Sequence, residues 1–370
     1  MMMQKEILAL ALSAGLAAPF VAFADNANFT FYGTADVSYD LINTGDGTTT
    51  ANGTTAVNGT SKRVVSSNVS KFGIKGAEDL GEGLSAIWQI EQQINIDDAA
   101  SNTFASRNTF AGLKSDSLGT VMLGRHDLPY KIAVRKLDVF GDNIADNRAL
   151  IGNKASIGNF ENRSTNTLIY MSPAFSGISA AIATVNLSET NTTSVQKTNN
   201  ILSLAVMYDV APFYASLAHE SHKLEVTASG AKESANRLGF GFKTGDFELG
   251  VVYEKSSDNL GAGGLDSLGH NGSYISGKYN IGNTAVKLAY GKAGVLGEGA
   301  AQIADSGASQ VSVGYDHGLS KRTKLYALYT KISNGKGINY GFSQSSAAAS
   351  TTSGFGTSPS AVSLGVKHSF

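Results

Sequence analysis

Apolar and polar residues alternate with a period of two along most of the chain, the pattern of strands with one face in an apolar medium and the other in water. The clearest case flanks Thr244, Gly245 and Asp246. Before the turn, Leu238, Phe240 and Phe242 share one face while Gly239, Gly241 and Lys243 share the other. After it, Phe247, Leu249, Val251 and Tyr253 alternate with Glu248, Gly250, Val252 and Glu254. Leu84, Ala86, Trp88 and Ile90 likewise alternate with Ser85, Ile87, Gln89 and Glu91, with only Ile87 out of pattern.

Sixteen such runs are expected, at 29–41, 64–76, 83–97, 104–115, 118–125, 164–172, 177–187, 200–209, 212–222, 234–244, 246–256, 272–280, 283–293, 309–317, 322–332 and 360–370. Their connections alternate strictly between short and long. Short ones fall at 78–82, 116–117, 173–176, 210–211, 245, 281–282 and 316–318. Long ones fall near 42–63, 98–103, 126–163, 188–199, 223–233, 257–271, 294–308 and 333–359. An even number of strands of about ten residues, with turns at one end and loops at the other, predicts an all-β fold. Specifically, it predicts a transmembrane antiparallel β-barrel of 16 strands. Lipid offers the backbone no hydrogen bonds, so only a closed barrel can span it with strands. A soluble sandwich has no reason to segregate its loops this way. Aromatic residues beside the short turns, Tyr208 with Phe213 and Phe242 with Phe247, fall where an interfacial girdle would lie.

One connection stands apart. The stretch 125–163 is long, carries charges of both signs, and keeps Ile132, Val134, Leu137, Val139 and Phe140. A loop of this length inside a compact fold is usually functional, disordered or evidence against the element assignment. It reads as functional here because every segment around it repeats one simple unit and this one does not. The tracts 46–60 and 343–360 are Gly/Thr/Asn-rich and Ser/Ala/Gly/Thr-rich and read as mobile and exposed.

Composition sharpens this picture. The N-terminus has Lys5, an apolar run over 7–23, and small residues at Ala22 and Ala24, which predicts a signal peptide over 1–24 and a barrel domain over 25–370. No other stretch approaches the roughly 20 apolar residues of a spanning helix. There are 42 Gly, 5 Pro, 14 Tyr, 17 Phe and one Trp, the usage of many strands joined by polar loops. A net charge of −1 argues against a nucleic-acid partner. The absence of cysteine leaves stability to the hydrogen-bonded fold.

Motifs for catalysis fail on spacing. His219 and His222 have the wrong separation for a zinc helix and would face opposite ways on a strand. The glycines at 239, 241 and 245 lie in a hairpin, and 291–299 lacks the lysine and hydroxyl of a phosphate loop. No metal, cofactor or catalytic group is expected.

The segments RNTFAGLK at 107–114 and LGTVMLGR at 118–125 resemble the general diffusion porins of Gram-negative outer membranes. KFGIKGAEDLGEGL at 71–84, NTLIYMSP at 166–173 and the ending VKHSF at 366–370 are similar too. The resemblance implies a homotrimer in outer-membrane lipid, with the third long loop folded into the lumen as a constriction where loop acids face wall bases. On that reading Arg125 is the wall arginine before the loop and Arg163 the one after it. Phe140-Gly141 matches the tip, with Asp138 and Asp142 the nearest acids. Further candidate wall charges are Lys71, Lys75 and Arg107, with Glu91 on the polar side of its strand. The chain departs from the family at Thr34, where some relatives carry lysine, and in the loop bases Lys131, Arg135, Lys136, Arg148 and Lys154. The terminal Phe370 is the expected signal to the barrel-assembly machinery.

The function expected is an outer-membrane pore for passive diffusion of small hydrophilic solutes and ions. The alternatives are a substrate- or anion-selective channel of the same fold, an adhesive barrel, and a soluble lectin-like protein. A barrel of 16 strands leaves an aqueous channel, and charges at its narrow part bias which ions pass.

Overall fold

The computed structural model describes residues 28–98, 104–152, 159–186, 200–224, 230–343 and 354–370. The expected leader, 1–24, lies outside them, as does Lys154. Sixteen wall strands form one closed antiparallel sheet. In chain order they are Asn28–Asn43, a second strand in two segments (Ser61–Ser67 and Lys71–Gly81), Leu84–Gln93, Thr109–Ser115, Gly119–Asp127, Arg163–Met171, Ile178–Asn186 and Asn200–Val210. Phe213–Leu224, Ala231–Thr244, Phe247–Asp258, Asn271–Ile281, Thr284–Ala293, Ala308–Gly318, Thr323–Asn334 and Ser360–Ser369 complete the series. The first strand pairs with the last, Val37 opposite Val366, and with the second. Closure leaves no unpaired edge, which lipid could not satisfy. Two of the tight turns carry glycine at positive φ, Gly245 at +52° and Gly282 at +60°.

The burial pattern inverts that of a soluble protein. On the thirteenth strand Val286, Leu288 and Tyr290 are exposed while Lys287 between them is buried. The same outward series holds Val362, Leu364 and Val366 on the last strand. An outer face of exposed Leu, Val, Ile and aromatic side chains is stable only against lipid. Tyrosines ring the long-loop end as well, with Tyr39, Tyr253, Tyr290 and Tyr329 all exposed. At the short-turn end Tyr208, Phe213 and Phe247 are exposed, and the Phe213 ring packs against Phe242 of the next strand with 5.4 Å between ring centres.

Two irregularities depart from the simple alternation. Three steps along the first strand (Val37 to Thr34) face four along the second (Ser67 to Lys71), so the run expected at 64–76 is broken by a bulge at 68–70. There, Asn68 Nδ2 donates to Tyr326 Oη at 2.8 Å and Ser70 Oγ accepts from Asp36 N at 2.9 Å. The second bulge lies at the mouth of the third loop, where Gly124 faces Thr167 but His126 faces Ser164.

The tract 46–60 is exposed, as expected, but it is tied down. Gly47–Thr48 pairs with Ala56–Val57, and Thr48 bonds to Phe355. Residues 344–353 of the tract 343–360 lie outside the described residues. Earlier in the same connection Ile338, Tyr340 and Phe342 are buried beside Phe140 and Ile144.

Candidate functional site

The third loop contains one turn of helix, Pro129–Ile132, and two short 3-10 turns, Arg135–Leu137 and Asn147–Ala149. Proline at the first helical position costs no hydrogen bond. The loop's apolar residues pack onto the inward positions of the wall. Tyr130, Ala133, Val134 and Leu137 cluster with Ala205, Tyr214, Ala218, Ala235 and Val252, while Phe140, Ile144 and Leu150 join Leu328 and Ile332. The wall makes room with glycine. A Cβ at Gly250 would lie 2.2 Å from Leu137 O, and one at Gly314 would lie 2.7 Å from the Phe140 ring.

Polar anchors fix the loop's height. Tyr214 Oη donates to Ala133 O at 2.6 Å, Ser276 Oγ donates to Leu137 O at 2.6 Å, and Tyr274 Oη donates to Asp138 Oδ1 at 2.5 Å. Tyr130 Oη donates to Glu254 Oε2 at 2.7 Å, and Gly152 N donates to Glu254 Oε1 at 2.8 Å. Arg237, fully buried on the tenth strand, bonds both Glu254 and Glu161 at the loop's far end. Beside it His222 lies between Glu220 (3.0 Å) and Glu233 (2.6 Å), while His219 turns the other way to Asn236.

The sequence placed Asp138 facing water, and the structure corrects this. Its side chain is fully buried and serves as a loop-to-wall anchor, held by Tyr274, by Phe140 N at 2.8 Å and by Asn147 N at 3.0 Å. Burial, with the nearby Asp146 charge, lifts its pKa to about 6. Asp146 has the opposite fate. Burial alone would raise it, but Arg135 at 3.0 Å and Arg148 at 2.7 Å hold it well below the ordinary carboxylate range. Asp142 is partly exposed and sits in the left-handed region at φ +68°. It accepts from Arg148 at 2.6 Å and Arg135 at 3.4 Å, which lower its pKa against the effect of burial, and the field of Arg107 adds to them.

Opposite the anchored sector, the wall carries two linked charge groups. Glu91 is shared by Lys71 at 3.0 Å and Arg107 at 2.7 Å, and accepts from Tyr32 Oη at 3.0 Å. Asp127 is shared by Lys131 at 2.8 Å and Arg163 at 3.0 Å, and Arg163 Nε donates to Asn108 Oδ1 at 2.6 Å. The structure therefore brings Lys71, Arg107 and Arg163 together on one side of the lumen, with Asp142 within reach of the Arg107 field. It does not bring Arg125 into that group. Arg125 stands opposite Thr109, in the strand series of Val121 and Leu123. Its Nε is shielded without a hydrogen-bond partner among the described residues. Sequence reasoning missed Glu161, Tyr274, Asp146 and Arg237. A usable signal was the glycine stripe at 239, 241 and 250, on inward positions where a wall needs no glycine unless another chain segment lies against it.

Among the described residues no group of His, Asp and Glu is arranged to hold a metal. The sequence profile of Gram-negative porins matches residues 9–337. The chain belongs to that family. It is 26% identical over 375 residues, all of both chains, to outer membrane porin protein 32 of Delftia acidovorans. Its fold matches an anion-selective porin from Comamonas acidovorans with a TM-score of 0.71 at 24% identity, covering 93% of this chain and 100% of that one. It also matches the trimer form of OmpT from Vibrio cholerae, with a TM-score of 0.65 at 13% identity, covering 94% and 100%. The porin is thus an integral β-barrel of the outer membrane and a channel for passive diffusion of small solutes and ions. Its family and fold are those of a channel and not of an enzyme.

Proposed function

We propose that the third loop narrows this porin's lumen, and that the remaining passage, between the loop edge at Asp142 and the wall at Lys71, Arg107 and Arg163, favours small anions. The observation that carries this reading is the sharing of each wall carboxylate, Glu91 and Asp127, between two cations. Asp142, the loop acid nearest the water, is already paired with Arg148 and Arg135. The passage keeps an excess of positive charge, and charges in a narrow, poorly screened path bias ion flow. The porin named as anion-selective has the same fold, consistent with this preference. The test is the reversal potential of single channels under a KCl gradient. An anion-side potential that moves toward cations in Arg107→Gln is expected, and a cation-side potential in the unmodified porin would overturn the reading.

Three further assignments accompany it. The porin works as a homotrimer in outer-membrane lipid, which cross-linking in native membranes would test by showing a threefold mass. The leader is removed after Ala24, and an intact mass including residues 1–24 would contradict this. Phe370 is the assembly signal read by the barrel-assembly machinery. It bonds Gly33 through both backbone groups, at 2.9 and 3.0 Å, and its ring lies 6.0 Å from Phe31. Deleting Phe370 is expected to deplete the folded, heat-modifiable band on a gel, and undiminished yield would remove the idea.

A further inference from the structure

The short-turn rim of the porin contains a groove of about 570 Å³ whose charged lining is Lys278, Lys321, Arg322, Lys324 and Lys367 against the single carboxylate Asp316. The lysines come in adjacent pairs. Lys278 stands directly opposite Lys287, and Lys324 directly opposite Lys367. Like charges in direct cross-strand register destabilise a sheet, so the fold alone does not account for two such pairs in neighbouring strands.

The local acids do not neutralise this sector. Asp316 is divided between Lys287 and Lys324, both at 2.8 Å. Glu248 is divided between Lys243 at 2.9 Å and Lys278 at 3.4 Å. Asp36 holds Lys367 at 3.2 Å but also accepts from Tyr326 Oη at 2.9 Å and Asn68 at 3.3 Å. Five lysines thus face three carboxylates. Their solvent access is also graded. Lys287 is sealed beneath Phe140, its Nζ 4.9 Å from the ring centre, whereas the side chains of Lys278, Lys324 and Lys367 are 27%, 39% and 32% exposed. The buried lysine fixes Asp316, and the three exposed ammonium groups keep donors free to turn toward the lumen.

We propose that this groove is a binding subsite for a small polyvalent oxyanion, phosphate or a di- or tricarboxylate, separate from the passage at Arg107. An ammonium group is a compact charge with three rotatable donors, suited to an anion that offers several oxygens at once. A monovalent halide would gain little from three converging lysines. The subsite raises the local concentration of such anions at one mouth of the channel, as charge-lined clefts do.

The experiment is single-channel conductance of the trimer as a function of potassium phosphate, citrate or chloride, added to one side at a time. Conductance is expected to saturate at low concentration in phosphate or citrate but not in chloride, and at lower concentration from the short-turn side. In Lys324→Gln/Lys367→Gln the half-saturating concentration should rise by about tenfold for each lysine removed, as for loss of a charge-assisted hydrogen bond. Lys324→Arg/Lys367→Arg should restore it. A heat-modifiable band shows that each variant is folded. Half-saturation unchanged in the glutamine pair, or moved as far by Arg107→Gln, would overturn the subsite. Neither result depends on the sign of the KCl reversal potential, so it can fail while the proposed constriction stands.

Discussion

The two sides of the lumen obey the same strand alternation yet handle charge in opposite ways. On the side of the eighth to fourteenth strands, Glu254, Arg237, Tyr274 and Ser276 are buried under the third loop, and each of the four points at a partner. On the facing side, Lys71, Arg107 and Arg163 share too few carboxylates and remain in contact with water. Buried polar groups fix position because leaving one unpaired is expensive. Partly exposed charges fix less, and their field reaches the adjoining water. On the proposed reading, placement and selectivity are divided between opposite walls.

Breaking the buried side should have the largest effect. Arg237→Ala leaves Glu254 and Glu161 without their common partner, and removing one member of a buried ion network costs about 3–5 kcal/mol. Urea unfolding of the detergent-solubilised porin should show a loss of that size, and a loss below about 1 kcal/mol, the scale of a surface pair, would move the anchor elsewhere.

The facing side should respond in selectivity and not in stability. Arg107→Gln is expected to shift the KCl reversal potential clearly toward cations, because Arg107 pairs with Glu91 and its field reaches Asp142. Arg125→Gln should shift it less, since Arg125 has no ion pair among the described residues and stands in the series of Val121 and Leu123. A larger shift from Arg125 would reassign the passage.

A smaller effect sharpens the anchored side. Asp138 has its pKa raised to about 6 from an ordinary 3.8. A carboxyl whose folded pKa lies above its free value penalises the folded loop when ionised, and that penalty disappears as pH falls from about 6 toward 4. Tryptic cleavage at Arg135 and Lys136 should therefore slow across this window, and Asp138→Asn should flatten the dependence. A rate that rises on acidification would reverse the sign.

Much of the barrel was legible because lipid imposes a strict rule: each strand must alternate and each edge must close. Hence the sixteen runs, their short turns and the outward series at Val362, Leu364 and Val366 could be read from periodicity. The bulge at 68–70 could not, because it depends on Asp36 and Tyr326, residues far away in sequence. The loop's apolar residues were visible as a group, and the packing of Val134, Leu137 and Phe140 follows that reading. Which loop acid meets water was not visible. Asp138 and Asp142 are the same residue type four positions apart, and their roles are separated by tertiary partners, Tyr274 with the Phe140 and Asn147 backbone for one and Arg148 with Arg135 for the other. Ile338, Tyr340 and Phe342 did repeat with period two, a signal that the Ser/Gly-rich tail of the same connection obscured.

The account rests on the loop lying across the lumen, held by the glycine-lined wall, and the conductance of a variant lacking 134–144 tests it most directly. That deletion removes Leu137 from its site against Gly250, Phe140 from Gly314 and Asp138 from Tyr274, while leaving every strand intact. With a heat-modifiable band as the sign of folding, single-channel conductance should rise and larger sugars should enter in liposome swelling, since the wall alone encloses a wide channel. A folded variant that conducts and excludes sugars as the unmodified porin does would place the loop outside the path of permeation.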